Sequence, residues 1–281
     1  MGNSLEQNLI DELLDDLENN RLVLPTLPEV ALRVRDTLED ENMGLPEVAQ
    51  VIISDTALSA RLIQIANSPL LRASRMIETV DAAITRMGGD MVRNLVMSVV
   101  MEQMFQATTD VTDKLLRNLW EHSTNVAAIS HALASRFTNL KPDQALLTGL
   151  VHDIGSLPII TRAEDVPALL EDEELLNNII SKTHTEIGKA ILTKWNFPQE
   201  IIDAVAKHED LSYQGDSDKA DYVDVAIVAN LQGHIGTNHP LNDIDWSTVP
   251  SFGKLGIQSD VNVIDMEGTG DDIKAIKSVL G

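Results

Sequence analysis

The apolar residues of this chain recur at helical spacing almost from end to end, and that recurrence limits what it can fold into. Ile10, Leu13, Leu14 and Leu17 follow an i, i+3, i+4, i+7 pattern. Leu45, Val48, Ala49 and Ile52 repeat it, and Leu58, Leu62 and Ile65 do so again. Val92, Leu95, Val96, Val99 and Val100 form a stripe, with Met91, Met97 and Met101 on the other sides, so that helix is expected to be buried all round. No stretch alternates cleanly between turn pairs, as strands would. Aromatic residues make up only 3% of the 281, so the core must come from Leu, Ile, Val, Ala and Met. The expected fold class is all-α: a multi-helix bundle with an N-terminal helical half.

Punctuation divides the helices. Pro28, Pro142 and Pro198 mark starts, and Ser54 and Asp55 form a stop and a cap. "MGGD" breaks the chain before the buried helix, and Thr183 with Glu186 has the spacing of a capping box. "EDLSYQGDSDKAD" reads as a loop. Beyond about residue 236 the chain reads as mostly irregular, closed by a short helix in "DDIKAIKSVL".

The net charge is −23, from 21 Lys and Arg against 44 Asp and Glu. Nucleic acid and anionic membrane are therefore not expected partners, whereas a cation or a basic protein surface is. The acidic runs "DELLDD", "LEDEN" and "EDEE" read as solvated faces. With no cysteine, disulfides, thiolate nucleophiles and zinc ribbons are excluded. The N-terminus lacks the basic end and apolar run of a signal peptide, and Glu6 stands where myristoylation needs Ser or Thr. No apolar run approaches membrane-spanning length, and a cytoplasmic location is expected.

Polar groups fall on the apolar faces. His122 lies seven residues after Leu115 and four before Val126, on the buried face of a helix expected over 113–136. His131 is nine residues further on and should point outward. Ala145 and Gly149 lead to His152, and Leu146 and Leu150 lead to Asp153. His184 precedes Ile187 and Ile191, Ile201 and Val205 precede His208, and Val223 and Ile227 precede Asn230, with His234 one turn beyond. Each buried polar group without a partner costs on the order of 1–3 kcal/mol. Convergence on one another, on water or on a metal removes that cost. His239 reads as a surface residue.

The order His122, His152–Asp153, Asn230 resembles the H…HD…D pattern of HD-superfamily metal-dependent phosphohydrolases. "LPTLPEVALRV", "VIISDTALSARLIQIANSP", "ETVDAAITRMGGDMVRNLV" and "GLVHDIG…THTEIGKAILTKWNFPQEIIDAVAKHED" look like an HDOD domain, the HD-related output domain of bacterial signalling proteins. The resemblance covers roughly residues 20–215. It suggests an N-terminal helix over 1–20 and an HDOD domain over 21–215, divided into an N-terminal helical half (21–110) and an HD-like half (111–215). The remaining 216–281 would supply a closing helix and a tail.

The resemblance implies a metal held by His122, His152, Asp153, His208 and Asn230. Asp153 would orient water, and His184 would contact phosphate or a second ion. The last Asp of the pattern is Asn230 here, so Asp153 alone supplies formal negative charge unless Glu209 or Glu186 swings in. This favours one divalent transition metal (Ni, Zn, Mn or Fe) over a tight two-metal centre. "EDLSYQGD" after His208 contains no GYP element, so cyclic di-GMP hydrolysis is not expected. The basic residues near the histidines are Lys182, Lys189, Lys194 and Lys207, without a glycine-rich phosphate loop. Arg86 and Arg93 are expected on surface acids or structural carbonyls.

Three readings stand. The first is a signalling module that binds a protein partner, with a weakened HD pocket and little or no hydrolase activity. The chain has no receiver, GGDEF-type or kinase segment, so the input signal is expected from another chain. The second is a metal-dependent phosphohydrolase acting on a nucleotide or phosphoester. The third is a purely structural hydrogen-bond network.

Overall fold

A computed structural model describes residues 2–40, 42–68, 71, 76–105, 110–266 and 268–280. Glu41 of "LEDEN" and Pro69 of "IANSP" lie outside the described residues. Among those described, all regular structure is helical. The N-terminal helices are α1 (Gly2–Glu18), α2 (Glu29–Glu39), α3 (Leu45–Ile53), α4 (Thr56–Ala66), α5 (Val80–Met87) and α6 (Gly89–Met104). After them come α7 (Asp110–Phe137), α8 (Pro142–Val151), α9 (Ser156–Ala163), α10 (Pro167–Glu171), α11 (Glu173–Lys194), α12 (Gln199–Lys207) and α13 (Tyr222–Gly233). The chain ends in α14 (Pro250–Leu255) and α15 (Thr269–Leu280). Among the described residues, no helix is long and apolar enough to cross a membrane.

The starts follow from local chemistry. Glu47 Oε2 accepts from the Gly44 N–H at 2.8 Å, closing the first turn of α3. Asp55 accepts from Leu58 N–H at 2.9 Å, and Asp172 from Leu175 N–H at 3.0 Å, opening α4 and α11. Each cap satisfies a backbone donor that the helix itself cannot, a contribution of about 1 kcal/mol. Arg86 bonds the Leu71 carbonyl and Arg93 pairs with Asp90, as read from the sequence.

α7 is the centre of the bundle. It packs most extensively on α8, then on α13, α15 and α9. Gly149 explains the closeness of α7 and α8. A β-carbon there would fall 2.7 Å from Ala127 Cα and 2.8 Å from the Val126 carbonyl oxygen. Gly155 does the same for α9 and α11, since a β-carbon would fall 1.9 Å from the His184 carbonyl oxygen. These two backbone contacts fix the helices that carry the polar residues.

Three expectations are corrected. Thr183 is no cap: α11 runs through it, and its hydroxyl donates to the Ile179 carbonyl at 2.8 Å. The capping-box spacing is outweighed by an apolar face continuous from Leu176 to Leu192. The stretch 237–260 is not mostly irregular: Val249, Phe252 and Leu255 are buried in and beside α14. α15 is the closing helix read from "DDIKAIKSVL", with Ile273 and Ile276 buried. Gln232 ties down the chain between α14 and α15 by donating to the Val261 carbonyl and accepting from the Val263 N–H, both at 2.9 Å. His131 does not point freely outward. Its Nδ1 is buried, with Asp143 of α8 and Asp272 of α15 near it, where the isolated helix would meet water.

Candidate metal centre

Asp153 lies at the centre of two groups of side chains. Its Oδ2 is 3.2 Å from His152 Nε2 and 3.9 Å from His122 Nε2. Its Oδ1 is 3.3 Å from both His184 Nε2 and His208 Nε2. The ligand atoms of His122, His152 and Asp153 lie within 4.8 Å of one another, as do those of Asp153, His184 and His208. One carboxylate therefore faces two triads. Asn230 Oδ1 is 3.1 Å from His122 Nε2, so all the residues singled out in the sequence meet here. Glu209 Oε1 stands 3.9 Å from His184 Nε2, while Glu186 is exposed and lies outside both triads.

The helices explain the arrangement. His152 and His208 occupy the first positions beyond α8 and α12, where the last carbonyls have no partner within the helix. His152 Nδ1–H donates to the Gly149 carbonyl at 2.7 Å, and His208 Nδ1–H to the Val205 carbonyl at 2.9 Å. His184, inside α11, donates likewise to the Ile180 carbonyl at 2.7 Å. A carbonyl only accepts, so each Nδ1 must carry the proton, and each ring in its neutral form presents an Nε2 lone pair to Asp153.

That donor set has a consequence. His184 and His208 Nε2 are 3.2 Å apart, and both face a carboxylate oxygen with no proton between them. Lone pairs and negative charge at such distances repel, and a cation or an added proton relieves the repulsion. Imidazole nitrogen with carboxylate oxygen is a set that suits Zn, Ni, Fe and Mn. The residues present therefore fit a divalent transition metal. The other triad has a second option. His122 Nε2–H can donate to Asn230 Oδ1, with the His152 lone pair 3.2 Å away.

Burial and charge compete in the cluster. Burial works against the Asp153 carboxylate, yet His152, His208 and His184 outweigh it and hold its pKa well below the usual carboxylate range. Burial also opposes charge on His152, but Asp153 and the Gly149 carbonyl prevail and raise it. His208 is lowered, burial being the largest cause. His122 is lowered to about 4 by burial and by His152. The Asp153 side chain keeps 18% exposure and His122 17%, against 0% for His152 and His208, so the cluster opens on the Asp153–His122 side.

Two residues join the cluster that the sequence pattern did not assign to it. His234 stacks on His122 with ring centres 4.4 Å apart, and His239 stacks on His234 at 3.7 Å with planes only 6° apart. His239 is thus no isolated surface residue. Its position just before Pro240 carries no helical period from which burial could be read. Burial, with His122 and His239 as neighbours, lowers His234 to about 3. The sequence-picked basic residues lie elsewhere. Lys182 pairs with Glu6 at 2.6 Å, Lys207 sits 5.4 Å over the Tyr213 ring, and Lys189 and Lys194 are exposed.

A His, an adjacent His–Asp pair and further histidines on successive helices of an all-helical bundle define a domain of the HD superfamily. The HDOD domain pattern matches residues 24–211, and the chain belongs to that family. It is similar to a candidate metal-dependent phosphohydrolase from Shewanella amazonensis SB2B, with 32% identity, TM-score 0.87, and coverage of 99% of this chain and 100% of that one. An HDOD domain protein of unknown function from Geobacter sulfurreducens shares the fold at 23% identity and TM-score 0.66, covering 99% of each chain. An uncharacterized protein of Treponema pallidum (strain Nichols) is 24% identical over an alignment of 204 residues that covers 68% of this chain. The match spans only 38% of that curated relative's length.

Proposed function

We propose that this chain is a bacterial, cytoplasmic signal-transduction output module that binds a protein partner. Its HD-type pocket holds a divalent transition metal but supports little or no hydrolysis. The observation that carries metal retention is the proton assignment: three Nδ1–H groups given to backbone carbonyls leave three Nε2 lone pairs around Asp153. Asp153 is the shared ligand, with His184 and His208 on its Oδ1 side and His152, His122 and Asn230 on its Oδ2 side. Two features favour weak turnover. Asn230 adds no negative charge, and Asp153 has no ion pair with Lys or Arg among the described residues, leaving phosphate recognition thin. The signalling role rests on membership of the HDOD family.

The test is elemental analysis of the purified full chain, followed by assay with bis(4-nitrophenyl) phosphate and added Mn, Ni, Zn or Fe. The expected result is bound metal without turnover above the metal blank. Turnover that His152→Ala and Asp153→Ala abolish would overturn the weak-hydrolysis part.

A second reading, a metal-dependent phosphohydrolase acting on a nucleotide or phosphoester, is favoured by the two His–Asp triads and by the Shewanella relative. A bound divalent cation would acidify water and offset phosphoryl charge. In that reading Asp153 orients the attacking water, and His184, beside Glu209, meets the phosphate.

A further inference from the structure

Away from the histidines, a cleft of about 170 Å³ lies between α2 and α6 on one side and α8 with the start of α12 on the other. Met97, Leu147 and Phe197 form its apolar wall, and Arg35 and Arg93 enter it. Arg35 is anchored. Its Nη1 donates to the Trp195 carbonyl at 2.9 Å, and its Nη2 to Asp36 at 2.8 Å. Arg93 is not so well served. Its Nη2 reaches Asp90 only at 3.4 Å, and its Nε is buried with no described acceptor. A buried guanidinium N–H ordinarily finds an acceptor. That N–H is closed off from the cleft, and Arg93 meets it through the exposed remainder of its guanidinium group, beside an apolar wall.

The lining narrows the occupant. Two guanidinium groups call for an oxyanion, and a carboxylate matches their planar fork. The Glu39 carboxylate at the exposed rim makes a second negative charge costly, which disfavours phosphate. The volume equals about six water molecules, room for a carboxylate on a short body. We infer that this cleft binds a small monocarboxylate with a compact apolar body. The carboxylate bonds to Arg93 and Arg35, and the body packs on Met97, Leu147 and Phe197. The site is independent of the Asp153 cluster and of the function proposed for it.

Titration calorimetry of the full chain with 4-methylpentanoate tests this, with 4-methylpentan-1-amine and inorganic phosphate as competing probes. The expected result is saturable binding of the carboxylate alone. Arg93→Gln should weaken it about tenfold, the loss of one charge-assisted hydrogen bond, while circular dichroism shows the fold unchanged. Asp153→Asn should leave the affinity unaltered, which separates this site from the histidine cluster. No heat with wild-type protein would overturn the inference. So would equal binding of the amine or phosphate, unaltered affinity in Arg93→Gln, or loss of binding in Asp153→Asn.

Discussion

On the Oδ1 side of Asp153, His184 and His208 each spend their only proton on a backbone carbonyl, and their Nε2 atoms are left facing each other and the carboxylate. On the Oδ2 side, His152 is held in the same way, but His122 is not. It can turn a proton toward Asn230 and complete its bonding without any cation. The same residue types at similar distances thus differ in what they need. On one side both rings are unsatisfied as a neutral cluster; on the other His122 has a metal-free partner, and only the His152 lone pair still faces Asp153. The lesson is that the proton on the far nitrogen, more than the count of histidines, decides whether a cluster calls for a metal.

The sharpest way to break this comparison is to remove what the two sides share. Asp153→Asn should lower metal affinity by about a hundredfold or more, because it takes the only formal negative charge from both triads. Chelator competition would measure this, and near-normal affinity would mean that the histidines suffice alone. The next test separates the sides. His184→Ala should weaken metal binding by roughly tenfold to a hundredfold, whereas His122→Ala should weaken it less than about threefold. The reverse order would make the Oδ2 side the principal position.

Asn230→Asp should make the Oδ2 side more dependent on a cation. Asn230 is only 3% exposed, so a carboxylate there without a cation is expected to cost about 1–3 kcal/mol. Chelated Asn230→Asp protein should melt below wild type and recover on metal addition. A melting temperature indifferent to metal in both proteins would instead favour a structural hydrogen-bond network. The smallest effect concerns a histidine outside both triads. Burial lowers the pKa of His131 from 6.5. In the unfolded chain His131 therefore takes up a proton at a higher pH than in the folded chain. Stability contributed above pH 6.5 is lost as pH falls toward the lowered folded value. Urea titrations between pH 7 and pH 5 should show a shallower loss in His131→Gln than in wild type.

Much of the fold was legible because helices advertise themselves locally. Val92, Val96 and Val100 are all buried in α6, and Pro142 opens α8, as the spacing predicts. The inward faces of His152, His184, His208 and Asn230 were legible for the same reason: each lies on the stripe of its own helix. What spacing cannot carry is the placement of one helix against another. The division of Asp153 between two triads depends on α8, α11 and α12 meeting at set heights, which Gly155 and Gly149 govern through contacts remote in sequence. The burial of His131 and the stacking of His239 were hidden for a related reason. Neighbours from α8 and α15, remote in sequence, approach the former, and a non-periodic segment carries the latter.

The acceptors that orient His152, His184 and His208 are carbonyls of Gly149, Ile180 and Val205, each one turn back in the same helix. A main-chain oxygen is present whatever residue occupies the position. No single substitution can delete these supports, as one could delete a supporting Asp or Glu. The mutational target for disorienting the ligands is therefore small. Divergence in such a chain can strip ligand side chains one at a time, while those that remain keep their aim. A pocket built this way can lose a function gradually and regain it by as little as one residue.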